Sequence, residues 1–504
     1  MKKRFLLILI ILIYIFSISY GDIEIKSYLG ISGEWKINRW CPLFLQIKNL
    51  GNRISLNIEV IFIQGLRFSG NAKTIYREKV EIPSLSTRTL EILLPPLDFR
   101  YPVEINVKSE DESINISQKL EHNLERLILP LILIIGDSKK IPITLPSKIR
   151  VINIKSERDL PINYKAYDCV DYVFIDYNFW KTLSSSKKNS LRLFRAFDKR
   201  AFFFEELYLY KDKINFNIAK VQFFPPTFLE SPDLSIIDMQ DFFFPNRFNV
   251  GLFLSIYFIL LYFIRRFLIN MKILIISIVF LLISGTLISI YLGNNFKNDA
   301  LIIGEKGILY IPKDKNIGEL FSHLILFSPF KRNISFPFPF NIIQIYQPFY
   351  QPQRDIGPLE VNNEKEVIFF SLEKSKISFI EALSLIIFPI NINFNVSDKY
   401  LNIDIENKSD FKISELKIVY KGKEAYLGDI KSNERKSWKI NINSFNKVTP
   451  SLYSYISKWK IKNDIINIKD TVLWGKIENL LFDLKIEGVK YNSRSENIIF
   501  IPLQ

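Results

Sequence analysis

The chain has 504 residues, 48% of them hydrophobic and 14% aromatic, with a formal net charge of +15 and only two cysteines. That is room for about three domains at roughly 100–200 residues each, and it excludes a disordered chain or a disulfide framework. The cations are spread through an Ile-, Lys- and Asn-rich background with no dense basic block, as on a solvated surface.

Lys2, Lys3 and Arg4 precede an apolar stretch from Phe5 to Phe16, and Ser19 and Gly21 come after it as the small residues of a cleavage site. This predicts a signal peptide over 1–21 and export of the chain from Asp22 onward. Bulky Tyr20 between them leaves an uncleaved anchor as the alternative. From Trp35 to Val107 apolar residues alternate: Leu43, Leu45 and Ile47; Leu56, Ile58, Val60 and Phe62; Leu90, Ile92 and Leu94; Val103, Ile105 and Val107. Turn signals at Asn49-Leu50-Gly51-Asn52 and Pro95-Pro96 complete an antiparallel, immunoglobulin-like β-sandwich over 22–124. Trp35 and Trp40 are expected to plug its end.

Continuous apolar runs at Leu127–Ile135, Ile149–Ile154 and Tyr172–Ile175 then alternate with a helix capped by Ser184, which carries Leu191, Leu193, Phe194 and Phe197. Ala201 to Phe204 returns to strand. Residues 125–246 are therefore expected to form an α/β layer with a mostly parallel sheet.

Two apolar runs, Phe248–Ile264 and Ile273–Leu292, are joined through Arg265, Arg266 and Lys272. At about 1.5 Å per helical residue each can cross a bilayer, the first near the lower limit of about 17 residues. They predict a transmembrane hairpin over 247–293, with spans 248–264 and 273–292 and a cytoplasmic loop 265–272. The chain is thus expected to be a multi-pass protein of the cytoplasmic (inner) membrane, with the lipid bilayer as a partner and most residues extracytoplasmic. The exported location also disfavours nucleic acid.

Residues 294–504 read as a further exported β-rich domain. Ala300 to Ile311 is expected to form strands around a Gly304-Glu305-Lys306-Gly307 turn. Phe327 to Pro352 is too rich in proline for a helix and reads as an extended aromatic strip or as irregular chain packed on a sheet. Ile377 to Ile390, which contains Glu381, is expected to be a core element. From about 395 alternation resumes in Leu401, Ile403 and Ile405, in Leu416, Ile418 and Tyr420, and in Trp438, Ile440 and Ile442, which predicts a second β-sandwich completed by Leu484–Val489 and Ile498–Leu503.

The order of these parts resembles a family of poorly characterised bacterial envelope proteins. Those proteins have an exported immunoglobulin-like domain, a degenerate glutamine-amidotransferase-like domain, a transmembrane hairpin and a C-terminal exported β domain. The resemblance rests on Trp40-Cys41-Pro42-Leu43-Phe44-Leu45-Gln46-Ile47-Lys48-Asn49 and Tyr167-Asp168-Cys169-Val170-Asp171-Tyr172-Val173-Phe174-Ile175. Further along it rests on Ile405-Glu406-Asn407-Lys408-Ser409, Leu427-Gly428-Asp429-Ile430 and Ile498-Ile499-Phe500-Ile501-Pro502-Leu503. It implies a multidomain α+β membrane protein and no reaction. Where the family often has a glycine-rich stretch, this chain has Lys199-Arg200-Ala201-Phe202-Phe203-Phe204.

No catalytic constellation emerges. An amidotransferase needs a cysteine on a sharp strand-to-helix turn and a histidine to activate it. Cys169 instead lies between Asp168 and Asp171, which disfavour a thiolate. The only histidines are His122 and His323. Cys41 and Cys169 are expected to be unpaired and buried, with a disulfide between them in an oxidising compartment as the alternative; no metal-ligand spacing is present, and no cofactor motif occurs. Acid–base or cation-binding chemistry by Asp168, Asp171, Asp176, Glu205 and Glu206 is the enzymatic alternative, as a hydrolase or transferase. The expected function is non-enzymatic: a scaffold binding an envelope protein or an anionic polymer, or else a helper subunit of a membrane complex.

Overall fold

The computed structural model describes residues 23–36, 39–64, 72–97, 101–121, 129–143, 145, 149–198, 200–210, 301–328, 331–337, 342–346, 359–362, 367–372, 376–397, 399–447, 471–477 and 491–503, together with 255, 256, 258, 259, 262, 266 and 279. Seven strands build the first sandwich: β1 (Ile23–Leu29), β2 (Cys41–Asn49), β3 (Ile54–Gln64), β4 (Ala72–Ile82), β5 (Thr87–Leu94), β6 (Val103–Ser109) and β7 (Asn115–Leu120). They form the sheet β1-β2-β5 and the run β4-β3-β6-β7. Period-two patterning sends Leu56, Ile58, Val60 and Phe62 of β3, and Val103, Ile105 and Val107 of β6, into one core.

A small parallel sheet comes next, from β8 (Leu131–Ile135), β9 (Arg150–Ile154), β10 (Tyr172–Ile175) and β11 (Ala201–Phe203), in the order β11-β10-β8-β9. Every residue of β8 is buried, as its unbroken apolar run requires. Helices α1 (Tyr177–Thr182), α2 (Ser185–Asp198) and α3 (Leu207–Tyr210) accompany it, and α2 buries Leu191, Phe194 and Phe197.

The rest is strand: β12 (Leu301–Tyr310), β13 (Ile317–Ser328), β14 (Arg332–Pro337), β15 (Ile342–Tyr346), β16 (Leu359–Asn362), β17 (Val367–Leu372), β18 (Lys376–Ile387), β19 (Ile390–Val396), β20 (Tyr400–Asn407), β21 (Ile413–Tyr420), β22 (Lys423–Ile430), β23 (Glu434–Asn441), β24 (Asn446–Lys447), β25 (Val472–Ile477) and β26 (Tyr491–Pro502). The sheet β19-β20-β23 shares a core with β22-β21-β25-β26, so the second sandwich repeats the strand order of the first. A buried asparagine marks the equivalence. Asn49 ends β2 and Asn407 ends β20, and the side-chain amide of each donates across to the turn before the next strand of its sheet, at Pro83 and Lys431 respectively.

Both sandwiches are extended by parallel strands. β16 lies beside β4, with Leu359 opposite Thr74 and Asn362 opposite Arg77, giving the seven-stranded sheet β14-β17-β16-β4-β3-β6-β7. β12 lies beside β26 from Leu301 opposite Tyr491 to Tyr310 opposite Phe500, within the nine-stranded sheet β15-β18-β13-β12-β26-β25-β21-β22-β24.

Three expectations are corrected. Among the described residues no helix is long and apolar enough to cross a membrane, which says nothing about crossing by strands. The multi-pass inner-membrane assignment and its two-helix hairpin therefore have no spanning helix among the described residues to support them. Of spans 248–264 and 273–292 only 255, 256, 258, 259, 262 and 279 are described, each in helix, and the remainder, like the signal segment 1–21, lies outside the described residues. The α+β membrane class gives way to a mostly β architecture, because the strands of 301–503 pair with distant partners that local periodicity does not reveal. The amidotransferase-like label falls as well: Cys169 sits fully buried in a 3-10 turn that precedes β10, not on an exposed strand-to-helix elbow. At a finer scale, the turn expected at 304–307 is the middle of continuous β12. A side chain at Gly307 would collide with Oδ1 of Asn497, so that glycine permits close strand approach.

Candidate functional site

The acidic residues singled out by sequence divide between two structural tasks. Asp168 and Asp171 meet at the seam between the first sandwich and the parallel sheet. Asp168 accepts from the backbone N–H of Trp40 at 3.1 Å, from Arg39 Nη1 at 3.4 Å and from Arg200 Nη2 at 2.5 Å. Asp171 accepts from Lys36 Nζ at 2.5 Å and from the N–H of Leu131 at 2.9 Å. Burial pulls the Lys36 ammonium below its ordinary range, while Asp171 opposes that shift. Asp176 caps α1 by accepting from the N–H of Asn178 at 2.9 Å, and Glu206 accepts from Arg195 at 2.8 Å. Glu205 is exposed and does not join Asp168 and Asp171.

The thiols are inert. Cys41 and Cys169 are free and fully buried. Burial pushes Cys169 up to about 12 and Cys41 well above its ordinary value, although the backbone of Ile31 and of Gly30 respectively opposes each shift. The two thiols, expected in separate domains, thus flank one turn at the module boundary. Among the described residues no three His, Cys, Asp or Glu gather to hold a metal. His122 lies outside the described residues. His323 belongs to a row across the nine-stranded sheet, where Glu381, His323, Lys306 and Glu496 stand side by side on β18, β13, β12 and β26. Its Nδ1 lies 3.4 Å from Glu381, and burial, reinforced by Lys306, lowers its pKa to about 3. A neutral imidazole held this far down is not a proton shuttle near neutrality.

A site that sequence reading missed lies on the second sandwich. A groove of about 430 Å³ is lined by the loop 312–316, residues 390–394 of β19, residues 501–503, and Asp404, Glu406 and Arg435. The loop is built by Asp314 in the left-handed region, by a bond from Lys315 N–H to the Pro312 carbonyl at 3.2 Å, and by a tie from Phe388 N–H to the Asn316 carbonyl at 2.7 Å. On the opposite wall Arg435 forks onto Asp404 through Nε at 3.1 Å and Nη2 at 2.5 Å, and Asn391 donates to Glu406 at 2.8 Å. Hydrogen bonds from Arg435 and Ser437 hold Asp404 below the usual carboxylate range, and those from Asn391 and Lys408 do the same for Glu406. These acids stay ionised and occupied. Lys313, Asp314 and Lys315 are exposed and make no ion pair among the described residues. The only local signal was the outward asparagine series Asn391, Asn393 and Asn395, which reads as ordinary solvated strand.

Residues 22–122 match a family described as "Domain of unknown function (DUF8726)", and residues 389–504 match "Domain of unknown function (DUF8725)". No curated protein matches the chain. The fold comparison finds a yeast delta-COP-I mu-homology domain complexed with a Dsl1 WxWxV peptide at 8% identity and a TM-score of 0.25, covering 41% of this chain and 97% of that one. It also finds the CARDB domain of a Pyrococcus furiosus protein in complex with di-metal ions, at 18% identity and 0.14, covering 21% and 80%. A β-glucosidase from Listeria innocua matches at 17% and 0.15, with 20% of this chain spanning 16% of that enzyme.

Proposed function

We propose that this chain is a non-enzymatic binding protein with a scaffold or assembly role, whose second sandwich engages another protein or an envelope polymer. The groove beside β19 carries the reading, because it is open, lined by polar groups and bordered by two lysines that make no ion pair among the described residues. The tied carboxylates, the raised thiol pKa values and the depressed His323 support it, since each removes a group from acid–base or nucleophilic use.

The test is site-specific photo-crosslinking of the full chain in its native cells. One probe replaces Asn393 in the groove. The control probe replaces Lys26, its exposed counterpart on β1 by register against Asn407 and Asn49. A discrete adduct from position 393 alone is expected. No adduct at 393, or the same adduct at both positions, overturns the reading. Loss of cellular function in a stably folded Glu205→Gln, Glu206→Gln variant would instead favour chemistry at the parallel sheet.

A further inference from the structure

The two sandwiches treat one equivalent strand edge differently. Register aligns them: Ile23 stands opposite Asn49 as Ile390 stands opposite Asn407, so Ile25 corresponds to Ile392. In the first sandwich this edge is closed by β7. The Gln118 side chain donates to the Ile25 carbonyl at 3.4 Å and accepts from Ser27 Oγ at 2.6 Å.

In the second sandwich no strand among the described residues closes the edge. Lys408 N–H bonds the Pro389 carbonyl, which makes 391, 393 and 395 the hydrogen-bonded positions with β20. The N–H and C=O of Ile392 and Phe394 therefore point away from β20, and β19 has no other strand partner among the described residues. They face the groove. The inward side chains of Ile392, Phe394 and Val396 are only half-buried, while Asn391 and Asn393 are exposed. The loop wall carries Lys313 and Lys315 against Asp314, an excess of one positive charge (2 − 1), whereas Asp404 and Glu406 opposite are already paired.

We propose that the β19 edge binds an extended acidic segment of a partner protein by strand addition. The segment bonds the backbone of Ile392 and Phe394, lays alternate apolar side chains beside Ile392 and Phe394, and sets its carboxylates against Lys313 and Lys315. This rests on the binding role proposed above and names its ligand class. The molecule already accepts parallel strands on β4 and β26, so lateral addition is how its sheets grow.

The probe is a labelled peptide alternating valine and aspartate, titrated into the full chain by fluorescence anisotropy, with lysine-for-aspartate and N-methylated versions beside it. The acidic peptide is expected to bind and to slow amide exchange at Ile392 and Phe394. Ile392→Pro removes an edge N–H while sparing the β20 ladder, and is expected to weaken binding on the order of tenfold, as is N-methylation of the peptide. Lys313→Glu with Lys315→Glu changes exposed residues only, so it tests the charge term even if the proline variant misfolds; a comparable loss is expected. Binding unaffected by all of these changes, or equal preference for the lysine peptide, overturns the proposal. So does failure of every peptide to bind. A dimer in sedimentation that Ile392→Pro abolishes would assign the edge to a second copy and likewise overturn it. A persistent crosslink at 393 without amide protection would leave the binding role standing and remove strand addition alone.

Discussion

Asp168 is 2% exposed and receives three donors from two modules, so its charge is worth most where water is least available. Asp168→Asn keeps the shape but leaves the two guanidiniums facing a neutral acceptor, and among the described residues Arg200 then hydrogen-bonds Asp198 at 3.2 Å and the Val170 carbonyl at 2.7 Å. A loss of about 3 kcal/mol is expected from denaturant midpoints at constant slope; a loss under about 1 kcal/mol would show that the seam is solvated. His323 gives a pH signature of the opposite origin. Its folded pKa, lowered to about 3, lies under the ordinary 6.5, so the unfolded chain takes up a proton that the folded one refuses. Its stabilising contribution is whole above pH 6.5 and is lost as pH falls through the window toward 3. Between pH 7 and pH 5, where most carboxylates remain ionised, wild type should lose about 2 kcal/mol that His323→Gln does not. Equal losses in the two proteins would refute the neutral buried imidazole. Sequence offered Asp168 and Asp171 only as an enzymatic alternative and could not show them as ion-pair partners, because their cations at 36, 39 and 200 stand far away along the chain.

At the level of elements, one short device is used twice. The Asn49 amide donates to the carbonyls of Asn52 at 2.6 Å and Pro83 at 3.0 Å, and its Oδ1 accepts from Gly51 N–H at 2.9 Å. The Asn407 amide donates to the carbonyls of Phe411 at 2.8 Å and Lys431 at 3.0 Å, and its Oδ1 accepts from Ser409 Oγ at 2.7 Å. Each is an Asx-type turn whose buried side chain also staples a neighbouring turn. Asn49→Ala and Asn407→Ala should therefore each cost on the order of 3 kcal/mol, from two or three bonds and the carbonyls left buried. A marked asymmetry between the two in equilibrium unfolding would contradict the equivalence of the sandwiches. Both asparagines stood in plain view at the ends of alternating runs, and the strands themselves were legible wherever one face met the core, as in Leu56 to Phe62. Period-two patterning reports which side chains are buried but not which strand lies alongside. That is why β16 on β4, β12 on β26 and the β19 edge, unpaired among the described residues, were invisible. For the same reason Gly304 and Gly307 suggested a turn when they lie within a strand.

Across the whole molecule, the modules are joined by shared sheets, by the Asp168 and Asp171 seam and, among the described residues, by a buried ion pair at the parallel sheet's boundary with the nine-stranded sheet. Lys165 Nζ lies 2.5 Å from Glu319 Oε1, with side-chain exposures of only 7% and 5%, and sits 5.3 Å above the centre of the Phe321 ring. Burial alone would lower the Lys165 pKa, but Glu319, Asp198 and Asp168 outweigh it and leave it raised, so the Lys165 ammonium is charged at neutral pH. Breaking such a pair from one side strands a charge, whereas replacing both partners by apolar groups removes the desolvation cost together with the attraction. Lys165→Met should lower stability by about 3–5 kcal/mol, Glu319→Leu by a similar amount, and the double variant should return to within about 1 kcal/mol of wild type. The cycle is read from urea unfolding followed by two probes, Trp180 fluorescence beside the parallel sheet and far-ultraviolet circular dichroism for the strands. If the junction transmits cooperativity, the probes coincide in wild type and in the double variant and separate only in the single ones. Additive losses in the double variant, or separated probes already in wild type, would mean that the modules are merely adjacent and that the shared sheets carry the coupling without this pair.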